Sequence, residues 1–322
     1  MPKNRFRDAV SRLLISLVGS AYLVSLAINH SVQAQTAAAE QIVITGEEVP
    51  SAYGAPGGFS QSRFSPITNA YVLPPGAIYA SLIYQNDVVH FRSPDHIFTE
   101  EVEIGLPYRF NVAIENRVER YDGTLQDATF SLEARYALAD WDKIPLNPTL
   151  FAEYKFGIGR ILHDEGAPTP AHKFGPGGFD TSMDIPDAYE LRLLLSEDFF
   201  DRVEWAFNLF FEQETAGDRG REWGFAQSVV TPFLLANEEL KAGIEFLFRS
   251  FSDKESRGTP YNSFVIGPTV AWKPTRNTRL DFSPLFGANH KSPEMQAFVV
   301  LSYLFGPGGT EGGEAPASTR NR

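Results

Sequence analysis

From about Ala77 to Phe305 the chain repeats one motif. Runs of roughly ten residues alternate apolar and polar side chains, and each run is closed by Gly, Pro, Asn or Asp. Successive side chains of an extended strand point to opposite faces, so every run presents one apolar and one polar face. Between Arg109 and Glu119, Phe110, Val112, Ile114 and Val118 share one side, while Asn111, Ala113, Glu115, Arg117 and Glu119 share the other. Leu240 to Arg249 repeats the pattern, with Leu240, Ala242, Ile244, Phe246 and Phe248 against Lys241, Gly243, Glu245, Leu247 and Arg249. Runs of this length and period, with aromatics throughout, fit strands that cross a bilayer in a closed barrel, lipid on one face and water on the other.

A soluble barrel or sandwich also alternates. It would hide the face bearing Val203, Trp205, Phe207, Leu209 and Phe211 and expose Glu204, Asn208 and Glu212. The N-terminus decides for export. Lys3, Arg5, Arg7 and Arg12 form a basic start, Leu13 to Ile28 is apolar, and Val32-Gln33-Ala34 offers small residues for cleavage, so residues 1–34 are expected to be a secretory signal peptide. The predicted location is the outer membrane of a Gram-negative bacterium. The formal charge of -12 argues against nucleic acid as a partner. With no cysteine in the chain, disulfide and thiol chemistry are excluded.

The predicted fold is all-β, a transmembrane antiparallel β-barrel of about twelve strands, an even number as bacterial single-chain barrels have. Residues 35–76, rich in Ala, Ser, Gly and Pro, are expected to be an extended periplasmic or lumenal segment, 77–305 the barrel, and 306–322 a disordered tail. The strands are expected at Ile78–Asp87, Phe98–Leu106, Arg109–Tyr121, Ala128–Leu138, Thr149–Gly159 and Ala188–Leu195. The second half follows at Arg202–Glu212, Trp223–Leu235, Leu240–Phe251, Tyr261–Lys273, Thr278–Phe286 and Met295–Phe305. Pro232, Pro268 and Pro284 fall inside these strands, where a closed barrel has no free edge to hide a missing N–H, so bulges or shifted boundaries are expected there.

The water-facing positions carry both signs of charge. Glu101, Glu103, Glu115, Arg117, Glu133, Arg135, Glu153, Lys155, Glu190, Arg192, Glu204, Glu212, Glu245, Arg249 and Asp281 are the candidate lumen-lining residues. They suit a hydrated pore that selects solute by charge, and equally a salt-bridge lattice that fills a narrow interior. His90, His96, His163, His172 and His290 cluster in or beside the loops opposite the termini, without metal-ligand spacing. No metal, cofactor or catalytic residue is expected, and the chain reads as a non-enzyme.

Four short segments resemble known families. His290-Lys291-Ser292 resembles the His-x-Ser arrangement of outer-membrane phospholipase A, which would imply a lipid hydrolase, but Pro293 follows and no Asn partner presents itself. Gln41-Ile42-Val43-Ile44-Thr45-Gly46 resembles the TonB box of TonB-dependent receptors, implying strand addition onto an energy transducer, although the plug domain and large barrel of those receptors are missing. Tyr303-Leu304-Phe305 resembles the aromatic C-terminal signal read by the barrel assembly machinery, here followed by an extension. In layout, and in Leu146-Asn147-Pro148-Thr149 before a strand, the chain resembles small porin-like proteins grouped with the putative phenol-degradation MetA-pathway family. The function expected is a channel or facilitator for small solutes, with outer-membrane lipid, the assembly machinery and a small-molecule solute as partners. A lipid hydrolase and a structural barrel without transport are the alternatives.

Overall fold

The computed structural model describes residues 70–88, 94–121, 124–160, 184–200, 203–233, 239–275 and 277–306. The signal-peptide segment, Gln41–Gly46 and the tail from 307 lie outside the described residues, as does most of the long Leu162–Pro186 connection. Twelve strands follow in chain order: β1 (Ile78–Val88), β2 (Asp95–Leu106), β3 (Phe110–Tyr121), β4 (Thr124–Ala137), β5 (Thr149–Gly157), β6 (Ala188–Phe199), β7 (Val203–Glu214), β8 (Arg221–Pro232), β9 (Leu240–Ser252), β10 (Tyr261–Trp272), β11 (Thr278–Gly287) and β12 (Met295–Phe305). Each pairs antiparallel with its sequence neighbours, and β1 pairs with β12 from Ile78↔Phe305 to Val88↔Met295, closing the barrel. Closure leaves no edge strand exposed.

The alternation seen in the sequence is the alternation of burial. Along β2, Asp95, Ile97, Thr99, Glu101, Glu103 and Gly105 are buried, while Phe98, Val102 and Ile104 are exposed. The exposed set around the wall is apolar, including Leu82, Ile114, Leu132, Leu191, Leu209, Ile244, Val270 and Leu301. Aromatics gather toward the strand ends. Tyr136, Phe199, Trp272, Tyr303 and Phe305 stand at the near end, which holds the start of β1 and the end of β12; Phe98, Tyr154, Phe156, Tyr189 and Trp223 stand toward the far end. An apolar band between two aromatic girdles is the exterior of a membrane barrel.

Several strand ends shift by a few residues from expectation, β2 starting at Asp95 and β4 at Thr124. β6 continues through Ser196, Glu197 and Asp198, a polar run that looks like a turn. The strand is held there by contacts from distant parts of the chain: the Ser196 hydroxyl accepts from the Ala70 backbone N–H at 2.9 Å, and Glu197 accepts from the Leu146 N–H at 3.1 Å. The prolines produce no bulge in β10 or β11. β10–β11 pairing runs Val265↔Gly287 and Ile266↔Phe286, lapses, and resumes in the same register at Val270↔Phe282. That register sets Pro268 opposite Pro284. Ala288 N–H donates to Phe264 O across the same two strands, so alternate rungs, the proline rung included, are of the hydrogen-bonded type. Neither proline can donate. The loss is thus confined to one rung instead of two. Pro232 ends β8, where its Cα is paired with Lys241.

Candidate functional site in the barrel interior

Every lumen-lining candidate lies on the inward face, and the strand register arranges them in rows. Glu133, Glu153, Glu190, Glu212 and Glu222 are successive cross-strand partners from β4 to β8. One step nearer the near end, Arg135, Phe151, Arg192, Phe210, Gly224 and Arg249 form the next row from β4 to β9. Like charges directly opposite one another repel. The offset rows relieve this by placing a cation two residues along the strand from an acid.

Arg135 is the hub on the β2–β4 side. Its guanidinium, 1% exposed, reaches Glu103 at 2.9 Å, Glu133 at 3.1 Å and Glu101 at 3.2 Å. Carboxylate oxygens of Glu101, Glu115 and Glu133 lie within 4.8 Å of one another. Arg135 supplies a cation to two of these three. Farther round, Lys155 binds Glu212 at 2.5 Å and Glu190 at 2.9 Å, with Glu153 at 3.9 Å, and Arg192 meets Glu190 at 2.5 Å. Arg192 also stacks on Phe151, 4.7 Å from the ring centroid, and Arg135 faces the same ring at 5.5 Å. Arg117 pairs with Glu119 at 2.9 Å, and Arg249 with Glu222 at 3.4 Å. Glu204 pairs with Lys241, Asp281 with Arg279 at 2.8 Å, and Glu245 accepts from Ser283 at 3.3 Å.

A cavity of about 150 Å³ opens among these groups toward the far end, lined by Glu115, Arg117, Glu153, Lys155, Glu190, Arg192, Glu212, Glu222 and Arg249 on one side. Ile83, Ile97, Leu247 and Phe298 line the other. The interior is therefore two-sided. Ala206, Ala226, Val230, Leu247, Val265, Leu285 and Phe298 form a packed apolar cluster inside the wall, on the face that alternation alone assigns to water. Alternation identifies which residues share a face, not what that face meets.

Below the cavity a strap crosses the near end. Ala70, Tyr71, Val72 and Leu73 are all buried. The Thr149 hydroxyl donates to Ala70 O at 2.7 Å, and Leu73 N–H donates to Asn111 Oδ1 at 3.0 Å, so the strap runs from the β5–β6 side to β3. It then lies against Gly105, where an added Cβ would stand 2.1 Å from Pro74 O; the close approach requires glycine. Tyr71 stacks on Trp141 of the β4–β5 connection at 4.5 Å and 28°, and its hydroxyl reaches Asp198 at 3.4 Å. Burial, with Glu204 and Asp198 adding, pushes the Tyr71 phenol well above its ordinary range, so it stays a neutral donor.

Leu146-Asn147-Pro148-Thr149 is the joint that carries this arrangement. Leu146 and Asn147 both take positive φ, 65° and 46°. Asn147 Oδ1 accepts from Asp142 N–H at 2.7 Å, its Nδ2 donates to Ser196 O at 3.0 Å, and Ser196 N–H donates to Leu146 O at 2.9 Å. The strap, Trp141, Lys241 and Arg279 were not among the sequence candidates. Lys241 and Arg279 do sit at two-residue offsets from inward acids or their neighbours, a signal available in the alternation.

The hydrolase reading finds no support at Ser292. Its hydroxyl donates to Phe264 O at 2.8 Å and accepts from Phe264 N–H at 2.7 Å, fastening a turn that Asn289 also holds. Of the histidines, His96 Nδ1 lies 2.8 Å from the Tyr84 hydroxyl, while His90, His163 and His172 lie outside the described residues.

No family model and no curated protein matches the chain. Among solved structures it is similar to the NanC porin in a rhombohedral crystal form, at 10% identity over 70% of this chain and 98% of that one, TM-score 0.43. The KdgM porin gives 9%, 70%, 99% and 0.43. The translocator domain of the autotransporter NalP from Neisseria meningitidis gives 11%, 70%, 87% and 0.41. The closed antiparallel barrel stands on its own twelve-strand ladder.

Proposed function

We propose that this protein is an outer-membrane barrel that passes small polar solutes passively and is narrowed at its periplasmic end by the strap Ala70–Pro74. The observation that carries the reading is the conjunction of an apolar outer wall with a cavity lined by charges of both signs, ending above that strap. An apolar exterior of this extent is stable against lipid and a liability in water. The near end then faces the periplasm and the far end the outside. The charged candidates act as lining and as braces, and outer-membrane lipid and the assembly machinery are the partners. Membership of the putative MetA-pathway barrels belongs to the same proposal, supported by layout and by Leu146–Thr149.

Planar-bilayer recordings of the refolded mature chain test it. The wild type is expected to show a small conductance, and a chain lacking residues 35–73 a larger one. Silence from both, with the barrel folded, would leave a structural protein whose interior lattice only braces the wall.

A further inference from the structure

We propose a second site, a phosphate-binding groove at the far rim that grips the headgroup of an anionic lipid in the outer leaflet; it rests on the membrane reading above. The turns joining β7 to β8 and β9 to β10 enclose a groove of about 550 Å³ lined by Arg219, Arg221, Lys254 and Arg257 together with Gln213, Glu214 and Thr215. Inside the barrel Arg117, Arg135, Lys155, Arg192, Lys241, Arg249 and Arg279 all form ion pairs with carboxylates. At this rim the opposite holds. Among the described residues no carboxylate ion pair joins any of these four cations.

Their known partners are neutral. Arg257 donates to Ser252 O at 2.6 Å and to the Ser252 hydroxyl at 2.9 Å, and also to Arg219 O. Arg221 Nε donates to Gln213 Oε1 at 3.0 Å. Two of the nearby acids accept from the backbone, Glu214 from Gly220 N–H at 2.5 Å and Asp253 from Ser256 N–H at 2.7 Å. The four cations of the groove outnumber its one carboxylate, Glu214, and a multivalent anion meets several of them together. A phosphate offers several acceptor oxygens and matches the guanidinium fork.

Position selects the source. Arg221 lies over the outward-facing ring of Phe211, 5.7 Å from its centroid, two residues beyond the exposed Trp223 of the far girdle. Girdle aromatics sit at headgroup level. The groove therefore meets phosphates carried by lipid, with acyl chains running down the apolar wall beneath.

The test uses the refolded full-length chain in detergent, Trp fluorescence as the readout, and three probes: lipid A bearing two phosphates, the same lipid dephosphorylated, and inorganic phosphate. We expect saturable binding of the bisphosphorylated lipid, weakened about tenfold or more in the combined Arg219→Gln, Arg221→Gln, Lys254→Gln variant, for loss of charge-assisted contacts. The dephosphorylated lipid should bind wild type and variant alike, and millimolar inorganic phosphate should not compete. Equal affinity of wild type and variant for the phosphorylated lipid would overturn the site, and tight binding of inorganic phosphate alone would overturn its lipid source. Heat-modifiable mobility on gels, read in parallel, reports whether the barrel folds in an amphiphile at all, so a failure of the membrane reading is seen separately.

Discussion

Tyr71 and Trp141 lie face to face, ring centroids 4.5 Å apart, and so tie the strap to the β4–β5 connection. Such pairs contribute about 0.5–1.5 kcal/mol beyond area burial. Trp141→Ala should therefore loosen the strap without unfolding the barrel, and single-channel recording should show longer or larger openings than wild type. Unchanged openings in that variant would place the constriction elsewhere.

Arg135 holds Glu101, Glu103 and Glu133. Taking one partner from a buried charged cluster costs about 3–5 kcal/mol, because the remaining charges are left uncompensated. Arg135→Met should lower the denaturant midpoint in micelles accordingly, and adding Glu103→Gln should restore part of the loss. If Arg135→Met alone is neutral, the cluster is hydrated and the interior is more open than its packing implies.

Ile244 faces outward, 57% exposed, and Glu212 faces the cavity. Arginine on the lipid face near the bilayer midplane costs about 2–4 kcal/mol. Ile244→Arg should reduce the folded fraction in lipid vesicles by that free energy, whereas Glu212→Gln should fold normally and shift ion selectivity. The folded fraction is read from heat-modifiable mobility across a urea series.

Pro268 and Pro284 face each other on a hydrogen-bonded rung. Replacing Pro268 with Val returns one donor opposite Pro284 O, and a net hydrogen bond contributes about 0.5–1.5 kcal/mol. Hydrogen exchange at Gly267 and Thr269 should slow in the variant. No change there would mean that water or lipid already serves the rung.

Val43 lies in the TonB-box-like Gln41–Gly46 segment, outside the described residues. Under the passive reading, Val43→Pro leaves uptake and membrane level untouched. Loss of uptake at a normal membrane level would instead establish docking on a transducer by strand addition.

The strand pattern was legible because lipid imposes a strict period of two. Met295–Phe305 has the same ends in sequence and structure, since its alternation runs unbroken into Tyr303 and Phe305. Ser196 to Asp198 was misread, because a polar run resembles a turn when the chain that fills its hydrogen bonds lies more than a hundred residues away, at Ala70. The apolar half of the interior was invisible for a similar reason. Leu247, Val265, Leu285 and Phe298 become a cluster only once the register of β9 to β12 is known, which sets Val265 directly opposite Leu247. The far-rim cations were equally silent, Arg219, Lys254 and Arg257 being ordinary turn residues and Arg221 a strand end until two turns bring them together.

The two charged rows have a directional consequence. On β4, β6 and β11 the acid stands toward the far end and the cation toward the near end, as in Glu133 with Arg135, Glu190 with Arg192 and Asp281 with Arg279, while Lys155 caps the glutamate row from the far side. On those strands the local field lies mainly along the barrel axis and not across it. Under the channel proposal, a dipolar molecule entering from the far end beside β4 and β6 would be turned head to tail, its cationic group held back by the glutamates and its anionic group leading toward the arginines. Such a channel would sort molecules by heading as well as by size.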